Sequence, residues 1–125
     1  MFSAGGATSK EYAPKFAAAG ALVVDNSSAF RYDADVPLVV SEVNPEAMEV
    51  VPRGIVANPN CSTMQMLVAL APIHRAVGIE RINVCTYQAV SGTGKEAIDE
   101  LVTQTASLLN GRPVEARVYP KQIAF

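Results

Sequence analysis

With 125 residues, half of them hydrophobic and 18% charged, the chain is long enough for one modest core and has the composition of an ordinary globular protein. Ten basic residues against twelve acidic ones give no electrostatic reason to expect nucleic acid or an anionic membrane as a partner. No apolar run approaches the roughly 20 residues that cross a bilayer, no signal peptide opens the chain, and two cysteines make no disulfide framework, all of which suits a cytoplasmic, reducing compartment.

Met1-Phe2 runs straight into a Gly5-Gly6 turn, like the end of a strand whose beginning is missing. Lys121–Phe125 (KQIAF) reads as a strand just beginning. Natural termini are usually polar, and apolar strands at both ends leave unpaired edges, so a piece of a longer protein is expected. Thr8 and Glu11 fit a capping box, which predicts a helix from there, with Ala13, Phe16 and Ala17 apolar, Pro14 near the first turns and Gly20 at C′. Ala21–Val24 reads as a buried strand ended by the turn residues Asp25-Asn26-Ser27-Ser28. Leu38–Val40 and Gly54–Ala57 are two further short strands, separated by a turn and helical stub at Asn44-Pro45-Glu46. Buried strands alternating with helices predict a parallel sheet with crossovers, whose ligands gather at the carboxyl ends of the strands.

From Cys61 the spacing of Met64, Leu67, Val68 and Ala71 predicts a helix, disturbed near its end by Pro72 and closed by Gly78. Arg81–Val90 alternates with period two and reads as a half-buried strand. Ser91–Gly94 is a turn, and Glu96–Leu109 a helix with a stripe of Ile98, Leu101, Val102, Thr105 and Leu109, followed by Gly111.

Cys61 sits between Asn58-Pro59-Asn60 and a helix start. Unsatisfied N–H groups there favour a thiolate and would stabilise an oxyanion, with Asn60 as a further donor; the other reading is a small buried filler. Cys85, mid-strand, reads as packing. His74 is the only histidine, and thirteen residues of helix put it roughly 20 Å from Cys61, too far for a catalytic base. Ser3-Ala4-Gly5-Gly6 and Ser91-Gly92 both lie between a strand and a helix, where glycines let a phosphate approach the backbone or merely connect elements. Arg31 would clamp a phosphate or carboxylate, or sit on the surface; Gln88 would orient a substrate, or satisfy a neighbouring backbone group.

The segments FSAGGATSKEYAPKFAAAGALVVDNSSAFR, VSEVNPE, NPNCST and TYQAVSGTG, in that order and with Gln88 following Cys61 by 27 residues, resemble the aspartate-β-semialdehyde dehydrogenase family over essentially the whole chain. The resemblance implies an α/β fold: residues 1–57 as the second half of a Rossmann-like, parallel-sheet dinucleotide-binding domain, and residues 58–125 as the beginning of an α+β catalytic and dimerisation domain. It implies NADPH-dependent reductive dephosphorylation of L-aspartyl-4-phosphate to the semialdehyde, on the route to lysine (through diaminopimelate), methionine, threonine and isoleucine. Cys61 would carry the acyl group as a thioester. Gln88 and Asn60 would hold the substrate, Arg31 and Asn60 the phosphate, and Ser3, Ala4, Gly5, Gly6, Asn26, Ser91 and Gly92 the NADP. No metal is implied, and the family is dimeric or tetrameric. Its N-terminal GATGxVG turn, catalytic His and substrate-carboxylate Arg have no counterpart here, so this chain alone is expected to be inactive. Two alternatives stand beside this reading: a non-catalytic assembly module of the same fold, and a related acyl-phosphate reductase of the N-acetylglutamyl-phosphate or glyceraldehyde-3-phosphate type.

Overall fold

Two runs of β-branched residues form the paired strands. β1 (Val23–Asp25) and β2 (Ile55–Ala57) are parallel, in the register Val23–Ile55, Val24–Val56 and Asp25–Ala57. Single parallel bridges extend the ladder at each side, Phe2 to Asp25 and Leu38 to Ala57. The chain therefore visits the ladder in the spatial order Phe2, β1, β2, Leu38, with every segment running the same way. This is the expected α/β pattern, with the Leu38–Val40 strand reduced to one bridge. The computed structural model describes all 125 residues, and they divide into two units, Met1–Val84 and Cys85–Phe125.

In the first unit, helix α1 (Gly6–Ala18) connects the Phe2 segment to β1. It starts two residues before the expected capping box, and no side chain caps it; Gly5 stands at the N-cap with φ 92°. Pro14 consequently falls in the helix interior, where its missing N–H leaves the Lys10 carbonyl without its usual partner. The expected end at Gly20 is present as a Schellman pair, Gly20 N–H to Ala17 O and Ala21 N–H to Phe16 O. β1 lies further along than Ala21–Val24. Asp25, expected in the turn, is instead the last strand residue and fully buried.

Ala13, Val23, Phe30, Val36, Ile55 and Ala57 make the core, with Phe2, Ala17 and Ala29 packed against it. The Phe2 and Phe16 rings meet edge to face at 5.6 Å. A side chain such as Ile55, only 1% exposed, contributes about 2–3 kcal/mol by its burial. Gly54 enters β2 at φ 64°, and a Cβ there would come within 3.2 Å of the Ala17 Cβ. This position thus requires glycine twice over, for its backbone angle and for α1's close approach. Arg53 beside it bonds Asp33 at 2.6 Å and Asp35 at 3.2 Å, and lies over the Phe30 ring. Those two hydrogen bonds, Asp33's first, raise the guanidinium's pKa above its ordinary value.

Helix α2 (Cys61–Val77) begins where expected and runs through Pro72 rather than ending near it. Gly78 closes it, donating to His74 O. Residues 80–89 form no strand, where one was expected over Arg81–Val90, and Ile82, Val84 and Tyr87 are exposed.

In the second unit, a short 3₁₀ turn at Val90–Thr93 leads into α3 (Lys95–Leu109). The apolar stripe expected to pack is mostly in solvent, with Ile98, Val102 and Leu109 exposed. The buried face is Ala97, Glu100 and Gln104. A second Schellman pair ends the helix, Gly111 N–H to Leu108 O and Arg112 N–H to Ser107 O. The KQIAF segment is not a strand; the N–H groups of Ile123 and Ala124 donate to Gln104 Oε1. No helix of the chain is long and apolar enough to cross a membrane.

Candidate functional site

A parallel ladder brings the carboxyl ends of its strands to one edge, and here that edge is tied together by its own backbone. Asn26 N–H donates to Phe2 O and Asn58 N–H to Asp25 O, both at 2.8 Å, and Asn58 Nδ2 reaches Asn26 Oδ1 at 3.4 Å. The residues just past the three strand ends, Ser3, Asn26 and Asn58, therefore lie side by side. From two of those ends a helix departs. Ser3-Ala4-Gly5-Gly6 turns into α1, and Asn58-Pro59-Asn60 turns into α2 with Cys61 as its first residue.

At the α1 turn, a Cβ on Gly5 or Gly6 would meet no heavy atom within 4 Å. The backbone there is open to a ligand, and Gly5 at φ 92° needs glycine. Open backbone leading into the N–H end of a helix suits a phosphate.

At the α2 turn, Asn60 Oδ1 accepts from Ser62 N–H at 3.0 Å and Thr63 N–H at 3.4 Å. It is the N-cap, acting through its oxygen, whereas the sequence suggested only its donor side. Cys61 is exposed, against the reading of it as buried filler. Arg31 is half-buried and joins the loop after β1 to the α2 turn: Nε donates to Asn58 O at 2.7 Å, and Nη2 to Asn26 O and Pro59 O at 3.3 Å each.

Sequence reasoning missed the clamp beneath this edge. Asp25 Oδ1 accepts from Ser9 Oγ at 2.6 Å and Ser27 N–H at 3.2 Å, and Oδ2 accepts from Ser27 Oγ at 2.7 Å. The first turns of α1 are thereby fastened to the loop that carries Asn26 and Arg31. The Asp25–Ser27 half was visible as turn chemistry; Ser9, sixteen residues away, carried no signal.

His74 accepts from Ile79 N–H through Nδ1, near the far end of α2 from Cys61, as the helix length required. A cleft of about 590 Å³ lies within the first unit, lined by Val24, Val39, Val56, Asn58, Met64 and Val68 among others.

The remaining candidates belong to the second unit. Gln88 Nε2 donates to Thr86 Oγ1 at 3.1 Å. Ser91 and Gly92 sit in the 3₁₀ turn ahead of α3, with Gly92 N–H on Ala89 O and Gly94 N–H on Ser91 O. Cys85, expected to pack, is exposed, and no strand forms around it.

The hub of this unit was not foreseen. Glu100 Oε1 accepts from Arg117 N–H at 2.7 Å and Gln104 Nε2 at 3.0 Å, and Oε2 from Val118 N–H at 2.8 Å and Tyr119 N–H at 3.2 Å. The bond from Arg117 N–H, with those from Val118 and Tyr119, holds the carboxylate's pKa below its ordinary value despite partial desolvation. The cleft of about 450 Å³ beside this hub contains none of the predicted site residues.

Residues 1–51 match the NAD binding domain of semialdehyde dehydrogenase, and residues 70–125 match the semialdehyde dehydrogenase dimerisation domain. Aspartate-semialdehyde dehydrogenase of Legionella pneumophila is 65% identical over 126 residues, which covers the whole chain and 36% of the relative. Aspartate-semialdehyde dehydrogenase 2 of Vibrio cholerae is likewise 65% identical, with 37% of its length covered. Among solved structures, aspartate semialdehyde dehydrogenase II of V. cholerae complexed with ASA superposes with a TM-score of 0.76 at 64% identity, over 98% of this chain and 37% of that one. A probable aspartate-semialdehyde dehydrogenase of Pseudomonas aeruginosa does so with a TM-score of 0.73 at 32% identity, over the same shares. The chain thus spans a little over a third of the length of the relatives it matches.

Proposed function

Because the chain belongs to the semialdehyde dehydrogenase family, we propose that it contributes the nucleophile and much of the dinucleotide cradle to an enzyme that reduces L-aspartyl-4-phosphate to L-aspartate-4-semialdehyde. The observation that carries this reading is the placement of an exposed Cys61 as the first residue of α2, at the strand-end edge that also holds the open Ser3–Gly6 turn.

The Cys61 sulfur attacks the acyl carbon, the C–O bond to phosphate breaks, and inorganic phosphate leaves a thioester on Cys61. At the start of α2 the N–H groups of Ser62 and Thr63 are taken by the Asn60 side chain and that of Met64 by the Asn60 carbonyl, which leaves the Cys61 N–H to serve the oxyanion that forms in that attack. Ser3, Ala4, Gly5, Gly6 and Asn26, with Ser91 and Gly92, would hold a reduced nicotinamide dinucleotide, NADPH in this reading, which would supply the hydride that turns the thioester into aldehyde and frees the thiolate. Asn60 and Gln88 hold the substrate, and Arg31 with Asn60 takes the phosphate. Residues 1–57 serve the cofactor and 58–125 open the catalytic and dimerisation region of a cytoplasmic homodimer or homotetramer. Lysine, methionine, threonine and isoleucine are the products of the route so served.

The attacking sulfur of the first chemical step lies in this chain, so its labelling can be followed directly. Incubated with L-aspartyl-4-phosphate and digested for mass mapping, the chain is expected to carry the acyl group on Cys61 and not on Cys85. Equal labelling of the two cysteines, or none on Cys61, contradicts the proposal. Phosphate-dependent NADP reduction with aspartate semialdehyde is expected to show no turnover by the chain alone, since its only histidine is held elsewhere.

A further inference from the structure

A guanidinium carries five N–H donors in one plane. In Arg31 two of the three nitrogens are committed to backbone carbonyls, Nε to Asn58 and Nη2 to Asn26 and Pro59. Either two-pronged grip on a phosphate, across Nε and a terminal nitrogen or across both terminal nitrogens, draws on a donor already engaged; only the Nη1 pair stands outside these bonds. The 2.7 Å contact to Asn58 O is the short one, as a charge-assisted bond should be.

What Arg31 grips is the turn that delivers the nucleophile. Asn58 is already held through its N–H on Asp25 O, but Pro59 has no N–H, so its carbonyl is the backbone handle by which it can be held. Directly after them Asn60 takes an extended backbone, ψ 140°, and folds its side-chain oxygen over the N–H groups of Ser62 and Thr63. That cap depends on the angle at which the chain arrives, and Cys61 follows from it.

We infer that Arg31 is a positioning residue for Cys61: by fixing the Asn58 and Pro59 carbonyls against Asn26, it sets the Asn60 cap and couples the loop beside the dinucleotide turn to the start of α2. The inference rests on the reading of Cys61 as a nucleophile and is separate from any contact of Arg31 with phosphate.

Arg31→Lys keeps the charge and loses the planar fork. In phosphate-free buffer, the rate of Cys61 alkylation by iodoacetamide at pH 7 is expected to fall about fivefold, while Cys85 is unchanged. A Cys61 rate identical to that of the unsubstituted chain overturns the inference, because that is what a residue serving phosphate alone predicts. The unsubstituted chain gives a second measurement that no folding defect can spoil. By NMR, the Arg31 Nε–H is expected to exchange with solvent at least about tenfold more slowly than that of the exposed Arg112. Equal exchange overturns the clamp. If Cys61 in the unsubstituted chain is no more reactive than Cys85, the nucleophile reading fails, and slow Nε–H exchange still supports the clamp.

Discussion

In Met1–Val84 the buried side chains are mostly apolar: Val23, Phe30, Val36, Ile55 and their neighbours, with Ser9 and Asp25 as a satisfied polar pair among them. In Cys85–Phe125 the buried set is two alanines, Ala97 and Ala124, with Glu100 and Gln104. One unit is held by excluding water from a small core. The other is held by two polar side chains, one turn apart on α3, that collect backbone N–H groups from Arg117–Tyr119 and from Ile123-Ala124. The difference shows two ways for a short segment to fix a loop, and they respond to different insults.

The strongest way to break the comparison is Ile55→Ala. It removes a side chain at the centre of the first core and is expected to cost the Met1–Val84 unit about 3 kcal/mol, read from amide exchange at Val23–Asp25 in urea. A cost under about 1 kcal/mol would mean the core is not what holds that unit.

Glu100→Gln tests the other side. It is expected to accelerate exchange of the Arg117, Val118 and Tyr119 amides by more than about tenfold, and to leave Val23–Asp25 unaffected. Acid is the reversible version. Since the folded unit holds the Glu100 pKa below its ordinary value of 4.5, the stabilisation is complete above that value and fades as pH falls through the lower folded one. Protection of those three amides should be flat from pH 7 down to about 5 and lost at lower pH. Protection that persists in strong acid would show that the carboxylate's charge is not the clasp.

Asn60→Ala sharpens the comparison within the first unit, because its site stands on caps as well as on core. About 1 kcal/mol of local stability should be lost at the start of α2, seen as faster exchange at Ser62 and Thr63. The smallest effect is expected from Lys15→Ala, which removes an exposed pair with Glu11 and a contact over the Tyr12 ring. A few tenths of a kcal/mol is the ceiling there, and a larger loss would assign surface charge a weight the comparison denies it.

The sequence was most legible where local chemistry alone sets structure. Gly20, Gly78 and Gly111 mark helix ends, β-branched pairs mark β1 and β2, and Asn60-Cys61 marks the start of α2. It misled where a partner decides. Residues 81–90 alternate like a strand, yet no strand forms there, and Cys85 is exposed. The apolar stripe of α3 has good helical spacing, yet the face that packs is the one whose Glu100 and Gln104 find backbone donors. Thr8–Glu11 had the spacing of a capping box, but Gly5, able to take φ 92°, began the helix earlier. At the candidate site, residue identities and their place after strands were readable. The carbonyl grip of Arg31 and the Ser9–Asp25–Ser27 clamp join residues far apart in sequence, and spacing carries no trace of them.

The central claim is that position at the head of α2 makes Cys61 a nucleophile. Both cysteines are exposed, so access does not separate them and Cys85 is an internal control. The rate of iodoacetamide modification at each, mapped by mass spectrometry from pH 5 to pH 9, is the direct measurement. Cys61 is expected to react at least about tenfold faster than Cys85 at pH 7. A Cys61 that reacts no faster than Cys85 at pH 7 would contradict the account.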